Sequence, residues 1–428
     1  MQLKVEKMIY GGEGLARLPA DERGPGKAVF LPFVLPGESV SAEIQEEKPG
    51  FVRAVVTEIL SPSPARVAPQ CPYFSRCGGC HYQHATYEHQ LEIKEAILRE
   101  TLRRTARLEW TGAVHVHPSP PWEYRNRTRW RLRAAPEFAL GYYQMGSHDL
   151  LPVERCPISS PALNRALAAL WELGRAEKIA ASVREVEIAA DHEDERLLVE
   201  IFAQREDVAR GEASEVYTLV ELLWNTLPCA AVCVFDRPAA PAWGWSENQD
   251  FFYAAANAKL RVSPGSFFQA NRFLLDQLVA IVTGNRSGKL ALDLYAGVGL
   301  FSVALAPAFE NIMAVESSPP SWSDLEHNAP ANLLPVRATT AEFLEKRGKK
   351  LRPDLVIVDP PREGLGKTVT RALAVLSAPQ LVYVSCDPAT LSRDLRGLLE
   401  SGYRVEEVHL VDLFPQTFHI ESVFQLVR

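Results

Sequence analysis

The chain has 428 residues, too many for a single ordinary core, so two or three domains are expected. Its 47% apolar and 23% charged residues fit a soluble globular protein, and no stretch approaches the roughly 20 apolar residues of a membrane helix. The net charge of −7 speaks weakly against a nucleic-acid partner, but it averages over domains, and a local basic surface is what phosphate contact requires.

The N-terminus, MQLKVEKMIY, lacks the apolar run of a signal peptide, which makes a cytoplasmic location the default. Residues 1–62 then read as short strands punctuated by Gly and Pro, the pattern of a small β-barrel. The Pro-rich stretch SPSPARVAP follows as a linker. Next come three close cysteines and a helical stretch, YEHQLEIKEAILRETLRRTARL, with Leu and Ile at helical spacing. Residues 63–262 carry the weakest signals and read as a central α+β domain, with strand-like runs VREVEIAA, RLLVEIFA and AAVCVFDR. From residue 263 to 428 apolar strands alternate regularly with helices, which predicts an α/β domain whose parallel sheet is buried on both faces.

Two patterns in this last region carry chemistry. LDLYAGVGLFSVALA is a strand, a turn and a helix start, and Gly297 and Gly299 would let backbone approach a ligand at the strand's carboxyl end. The next strand ends at Glu316, placed to accept hydrogen bonds from ribose hydroxyls. The turn lacks the third glycine of a dinucleotide fingerprint and the Lys–Ser/Thr pair of a P-loop. It resembles the first motif of class I S-adenosylmethionine-dependent methyltransferases. The second pattern is a set of strand ends: VIVDPPREGL at Asp359, VYVSCDP at Cys386 and FPQTFHIESVF leading to Glu421. Strand ends of an open α/β sheet form its ligand crevice. A thiol and a carboxylate beside a methyl donor suit alkylation of uracil C5, which needs a nucleophile to add at C6 and a base to remove the C5 proton. Cys386 and Glu421 fit those roles; the bland alternative for Cys386 is an inert packed thiol.

FFQAN, LDLYAGVG, VDPPREGL, SCDPATLSRDL and FPQTFHIESV together resemble the ordered motifs of the RNA 5-methyluridine methyltransferase family over residues 263–428. The resemblance implies a Rossmann-like methyltransferase domain, Cys386 as nucleophile and Glu421 as base. It puts Gln269, Tyr295, Gly297, Gly299, Glu316 and Asp359 at cofactor-contacting positions, with S-adenosyl-L-methionine the methyl donor. Two positions depart from the family: Leu300 where some members carry a polar cofactor contact, and Asp387 where Asn is usual. GGEGLAR and FVLPGESVSAEI resemble a TRAM domain, a small RNA-binding β-barrel.

Cys71, Cys77 and Cys80 form C-x5-C-x2-C, and Cys156 lies 76 residues on. Four thiolates suit a tetrahedral zinc or a four-iron cluster. The resemblance to the iron–sulfur branch of the methyluridine family implies a [4Fe–4S] cluster, and the 23S rRNA branch over transfer RNA. His81 and His84 are candidate substitute ligands, with exposed or packed histidines the favoured reading, and Cys229 and Cys233 read as core. YRNRTRWRLR sets Arg125, Arg127, Arg129, Arg131 and Arg133 on one face of a strand, either as a phosphate track or as a face paired with the protein's own acids. The expected protein is a monomeric RNA-binding enzyme with no membrane partner. A methyltransferase acting on exocyclic amino groups and a non-catalytic RNA-binding protein are the competing readings.

Overall fold

The computed structural model describes residues 1–19, 26–204, 213–237, 240, 242, 244–245 and 250–428. At the N-terminus six strands form one curled sheet in the order Gln2–Lys4, Ser39–Glu47, Phe51–Ser61, Ala28–Pro32, Glu13–Arg17, Lys7–Met8. Alternation places Val29, Leu31, Val40, Ala42, Val52 and Ala54 inside, where they share one core with Leu3, Val5 and Val34. At its base lies Glu38, fully buried, whose carboxylate accepts from Arg66 Nε at 2.6 Å, Arg66 Nη2 at 2.7 Å and the N–H groups of Leu35 and Ser63. Burial alone would raise this carboxyl, but the Arg66 guanidinium and the two N–H donors hold it below the usual range. The Pro-rich linker is therefore anchored to the barrel by a charge pair.

The central region contains a seven-stranded sheet in the order Leu150–Pro152, Ala139–Tyr143, Arg127–Arg133, Val183–Ala190, Leu197–Ala203, Cys229–Phe235, Gly244–Trp245. Its core gathers Trp130, Leu132, Val186, Ile188, Val199 and Ile201 against Leu163, Leu167 and Leu170 of the Pro161–Arg175 helix and Leu219 and Leu223 of the Ala213–Thr226 helix. Cys233 is buried and Cys229 packs at the edge of this core, as expected of structural thiols.

The C-terminal sheet has eight strands in the order Leu333–Arg337, Phe309–Glu316, Gly288–Leu294, Leu355–Val358, Gln380–Ser385, Glu421–Val427, Arg404–Val411, Val114–His117. Successive residues feed two different cores: Ala291, Leu355, Ile357, Val382 and Val384 enter one, and Leu292, Leu294, Val356, Val358 and Tyr383 the other. Both faces are thus buried, as the apolar strands predict. The last strand departs from the expected parallel order. Glu421–Val427 runs antiparallel between Gln380–Ser385 and Arg404–Val411, because the short link from Val411 to Glu421 contains no crossover helix.

The helix Tyr87–Thr101 and the strand Val114–His117, which the sequence reading places in the central stretch, pack with this C-terminal unit. Ile93, Ile97 and Leu98 join the second of its cores, and Val114–His117 pairs in parallel with Arg404–Val411. The hairpin Phe252–Ala255/Ala258–Arg261 likewise contributes Tyr253, Ala255 and Leu260 to the first.

Candidate active site

The end of the Gly288–Leu294 strand turns sharply. Tyr295, Gly297 and Gly299 have φ of +69°, +57° and +96°, conformations that side chains with a Cβ rarely adopt. A Cβ on Gly299 would come 2.8 Å from Leu325, whereas nothing lies within 4 Å of one placed on Gly297, so the turn is open there for a ligand to approach. The Gly297 N–H donates to Glu316 Oε2 at 2.9 Å, and the Ser317 and Ser318 N–H groups donate to Oε1 at 2.7 and 2.6 Å. Three backbone donors therefore fix the carboxylate beside the turn. Asp293, in the strand two residues before Tyr295, is fully buried and accepts from Ser302 Oγ, while its Oδ1 has no partner among the described residues. Burial pushes its carboxyl up to about 6. A buried acceptor left free beside the glycine turn fits a cofactor's cationic or N–H group, and sequence reading passed over it although it lies inside the quoted LDLYAGVG.

Cys386 follows the Gln380–Ser385 strand. The next residue, Asp387, caps the Pro388–Glu400 helix, its Oδ1 accepting from the N–H groups of Ala389 at 3.0 Å and Thr390 at 2.8 Å. Its charge faces the positive end of that helix. Asp359 ends the neighbouring Leu355–Val358 strand, and Glu421 opens the antiparallel Glu421–Val427 strand. The three groups act on one another. Burial, then the Asp293 carboxylate, push Asp359 up to about 7. Burial, then Asp359, push Glu421 well above the carboxylate range, against the pull of Arg362. Burial, then Glu421 and Asp359, push the Cys386 thiol up to about 12, with Arg362 again opposing and Asp387 adding to the rise. Arg362, three residues past Asp359, is thus the cation of the cluster, a residue sequence reading quoted in VDPPREGL without assigning.

Gln269 is half-buried in the segment that leads to the Leu275–Thr283 helix. That segment is clamped by the central domain: Asn126 N–H donates to Ala270 O at 3.0 Å, Arg272 N–H to Tyr124 O at 3.0 Å, and Asn271 Nδ2 to Ser119 Oγ and Leu413 O.

Cys71, Cys77, Cys80 and Cys156 line one cavity of about 50 Å³ together with Tyr73, Phe74, Arg125 and Tyr142. None is in a disulfide. Burial raises the Cys77 thiol to about 11 and raises Cys80 and Cys71 as well, with the neighbouring thiols adding to each rise. Among the described residues no group of three or more Cys, His, Asp or Glu side chains is gathered to hold a single metal ion. His84 is committed elsewhere, its Nε2 3.2 Å from Val34 O, and His81 packs edge-on against Phe418.

The arginine row resolves largely into the protein's own ion pairs. Arg127, Arg129 and Arg131 do share a face of the strand, but Glu187 and Glu185 lie opposite them on Val183–Ala190. Arg127 binds Glu187 at 2.5 Å and Glu200 at 3.3 Å, Arg129 binds Glu185 and Glu187, and Arg131 binds Glu185. Arg125 is drawn into the cysteine cavity, leaving Arg133 exposed at the end of the row. Beside it an open groove of about 470 Å³ runs between Arg125, Arg127 and Arg129 on one side and Phe267, Phe268 and Ala270 on the other; Phe267 is 68% exposed.

The sequence pattern described as tRNA (Uracil-5-)-methyltransferase matches residues 247–428, and that of the TRAM domain matches residues 1–57. An RNA methyltransferase of Aquifex aeolicus is 33% identical over 99% of this chain and 97% of its own. The 23S rRNA (uracil(1939)-C(5))-methyltransferase RlmD of Chromohalobacter salexigens is 33% identical over 100% of this chain and 89% of its own. The chain belongs to the RNA uracil-C5 methyltransferase family. In fold it is similar to the tRNA (uracil-54, C5)-methyltransferase of Pyrococcus abyssi, solved with S-adenosyl-L-homocysteine, at a TM-score of 0.75 and 24% identity with both chains fully covered. This methyltransferase is accordingly an RNA-modifying, S-adenosylmethionine-dependent enzyme with an N-terminal TRAM domain. No helix among its described residues is long and apolar enough to cross a membrane.

Proposed function

We propose that this methyltransferase modifies C5 of a uridine in 23S rRNA in the cytoplasm, by way of a covalent adduct between Cys386 and uracil C6. The observation that carries the mechanism is the meeting of Cys386, Glu421, Asp359 and Arg362 at neighbouring strand ends beside the glycine turn. C5 of uracil is too weak a nucleophile to be alkylated unaided. Addition of the Cys386 thiolate to C6 places carbanion character at C5. Bound S-adenosyl-L-methionine supplies the electrophilic methyl group. Glu421 then takes the C5 proton, the C5–C6 double bond re-forms, and the C6–S bond breaks to return the thiolate. Its raised affinity for protons makes Glu421 a stronger base than an exposed carboxylate.

Burial and the carboxylates of Glu421 and Asp359 oppose ionisation of the thiol, and Arg362 favours it. Gln269, Tyr295, Gly297, Gly299, Glu316 and Asp359 are assigned to the cofactor cleft, and Asp293 joins them. The barrel of residues 1–62 grips RNA, while residues 63–262 position it.

Cys71, Cys77, Cys80 and Cys156 would hold a [4Fe–4S] cluster. Four thiols line one cavity, which supports a thiolate-held metal group there. The cluster would cross-link the 71–80 loop to residue 156, with no electron needed by the methyl transfer. The choice of ribosomal over transfer RNA is supported by the RlmD likeness along the whole chain.

The test is to incubate RNA from cells lacking the protein with methyl-labelled S-adenosylmethionine and the purified enzyme, then digest to nucleosides. Label in 5-methyluridine of 23S fragments is the expected result. Label confined to transfer RNA would move the substrate assignment, and label on adenine or cytosine would overturn the proposed chemistry.

A further inference from the structure

Three successive carbonyls in the loop that leads to Glu421 are gripped by distant parts of the chain. Lys94 Nζ donates to Phe414 O at 2.9 Å, the Tyr124 hydroxyl to Pro415 O at 3.0 Å, and the His81 and Tyr82 N–H groups to Gln416 O at 2.8 and 2.9 Å. Gln416 is held a second time. Its N–H donates to Gln90 Oε1 at 2.9 Å and its Oε1 accepts from Gln90 Nε2 at 3.0 Å, so two residues 326 positions apart close a hydrogen-bonded ring. Gln90 Nε2 also donates to Ala85 O at 3.0 Å, which fixes the orientation of the Gln90 amide, and both glutamines are buried. The residue so clamped is strained: Gln416 has φ of +67°, a conformation that persists in a side chain with a Cβ only where the surroundings over-determine it. Beyond it, Thr417 Oγ1 donates to Phe414 O at 2.8 Å and accepts from the His419 N–H at 3.2 Å, so the turn from Phe414 to His419 is one bonded unit. Ile420 is buried in the second core of the sheet, and Glu421 follows directly.

We infer that Gln416 is a positioning residue for the proposed base: the segment from His81 to Lys94, which begins directly after Cys80, holds Gln416 in its strained conformation and so sets how the Glu421 carboxylate enters the cleft. This rests on the reading of Cys386 as nucleophile and Glu421 as base. Gln90 lies on the Tyr87–Thr101 helix and acts on the loop through Gln416. The consequence follows from the two halves of the reaction. Thiolate addition and methyl transfer depend on Cys386 and the bound donor. Release needs Glu421 to take the C5 proton, so that the C5–C6 double bond re-forms and the C6–S bond breaks. Loosening Gln416 therefore slows release and spares the first half.

The experiment uses the full chain and two readouts. One is the single-turnover rate of methyl transfer to RNA. The other is the amount of protein–RNA adduct that survives denaturation during steady turnover. Gln90→Leu removes both bonds to Gln416 and leaves the loop's own sequence intact. It is expected to slow release about tenfold, so that adduct accumulates, with methyl transfer unchanged within about twofold. Gln90→Glu keeps the acceptor for the Gln416 N–H and loses the donor to its Oε1. This variant is expected to accumulate less adduct than Gln90→Leu but more than the native enzyme, and it carries the test where leucine at 90 prevents folding. Equal slowing of both halves, or release at the native rate in both variants, would overturn the inference and leave the two glutamines as packing. Normal turnover by Glu421→Gln would instead sink the base reading. Adduct that accumulates in Glu421→Gln but in neither Gln90 variant would overturn this inference alone.

Discussion

The N–H of Gly297 and the carboxylate of Glu316 are joined at 2.9 Å, so the glycine turn and the acid of the next strand form one rigid unit, the proposed cofactor platform. The other Glu316 oxygen is held by Ser317 and Ser318, and the lone pairs left over are aimed by these bonds rather than by side-chain rotation. Glu316→Ala is expected to raise the KM for S-adenosylmethionine about tenfold, the worth of one charge-assisted hydrogen bond, with little change in RNA affinity. Calorimetric titration of the cofactor into the variant checks this.

Asp359 is held up to about 7, which makes it a source of strain in the folded state. A carboxyl whose folded pKa is raised contributes stability that is fully present below its unfolded value near 4 and is lost as pH rises toward 7. Asp359→Asn is therefore expected to raise Tm at pH 8 by about 2–4 °C, and by less at pH 5, while lowering methylation. Thermal unfolding at the two pH values reads the difference.

A second pH effect lies at the seam where Val114–His117 docks. His117 Nε2 is 3.1 Å from His409 Nδ1, His409 Nε2 is 3.1 Å from Glu407, and Gln277 Nε2 is 2.7 Å from His117 Nδ1. Burial holds both imidazoles below their usual value, and His115, its ring tilted 5.1 Å from that of His409, adds to it, as does Arg286 on His409. Their stabilising contribution is complete above about pH 6.5 and is lost as pH falls toward the folded values. Amide exchange in residues 114–117 is expected to quicken at pH 5 relative to pH 7.5, more than in the Gly288–Leu294 strand.

Arg127 and Arg133 should separate structure from RNA contact. Arg127 is enclosed by Glu187 and Glu200, and Arg127→Ala would leave the buried Glu200 without its cationic partner, at a cost of about 3 kcal/mol in stability. Arg133→Ala is expected to leave Tm unchanged and to reduce the slope of RNA affinity against salt by about 1. Chemical denaturation and salt titration distinguish the two.

The parts of this molecule that were legible in the sequence are those written within a few residues of one another. Strand ends such as DLYAGVG, DPPREG and SCDP mark their own places, because an apolar run followed by a glycine or proline stop is a local signal. The alternation gave the correct face for Arg127, Arg129 and Arg131 but not for Arg125, and not the partners, since Glu185, Glu187 and Glu200 sit on strands met later in the chain. The antiparallel last strand was hidden because strand direction depends on the connection, which an apolar run does not record. The addition of Val114–His117 to the sheet and the reach of Gln90 to Gln416 are contacts between distant segments, with no trace in composition or period.

Cys386 and Glu421 together define the proposed covalent route. The most direct measurement is denaturing electrophoresis of the Glu421→Gln enzyme after incubation with labelled 23S rRNA fragments and S-adenosylmethionine. Because the C5 proton cannot be removed, a protein–RNA band that survives denaturation is expected, and it should vanish in the Cys386→Ala, Glu421→Gln double variant. Normal turnover by Glu421→Gln, or an equally strong band without Cys386, would contradict the account.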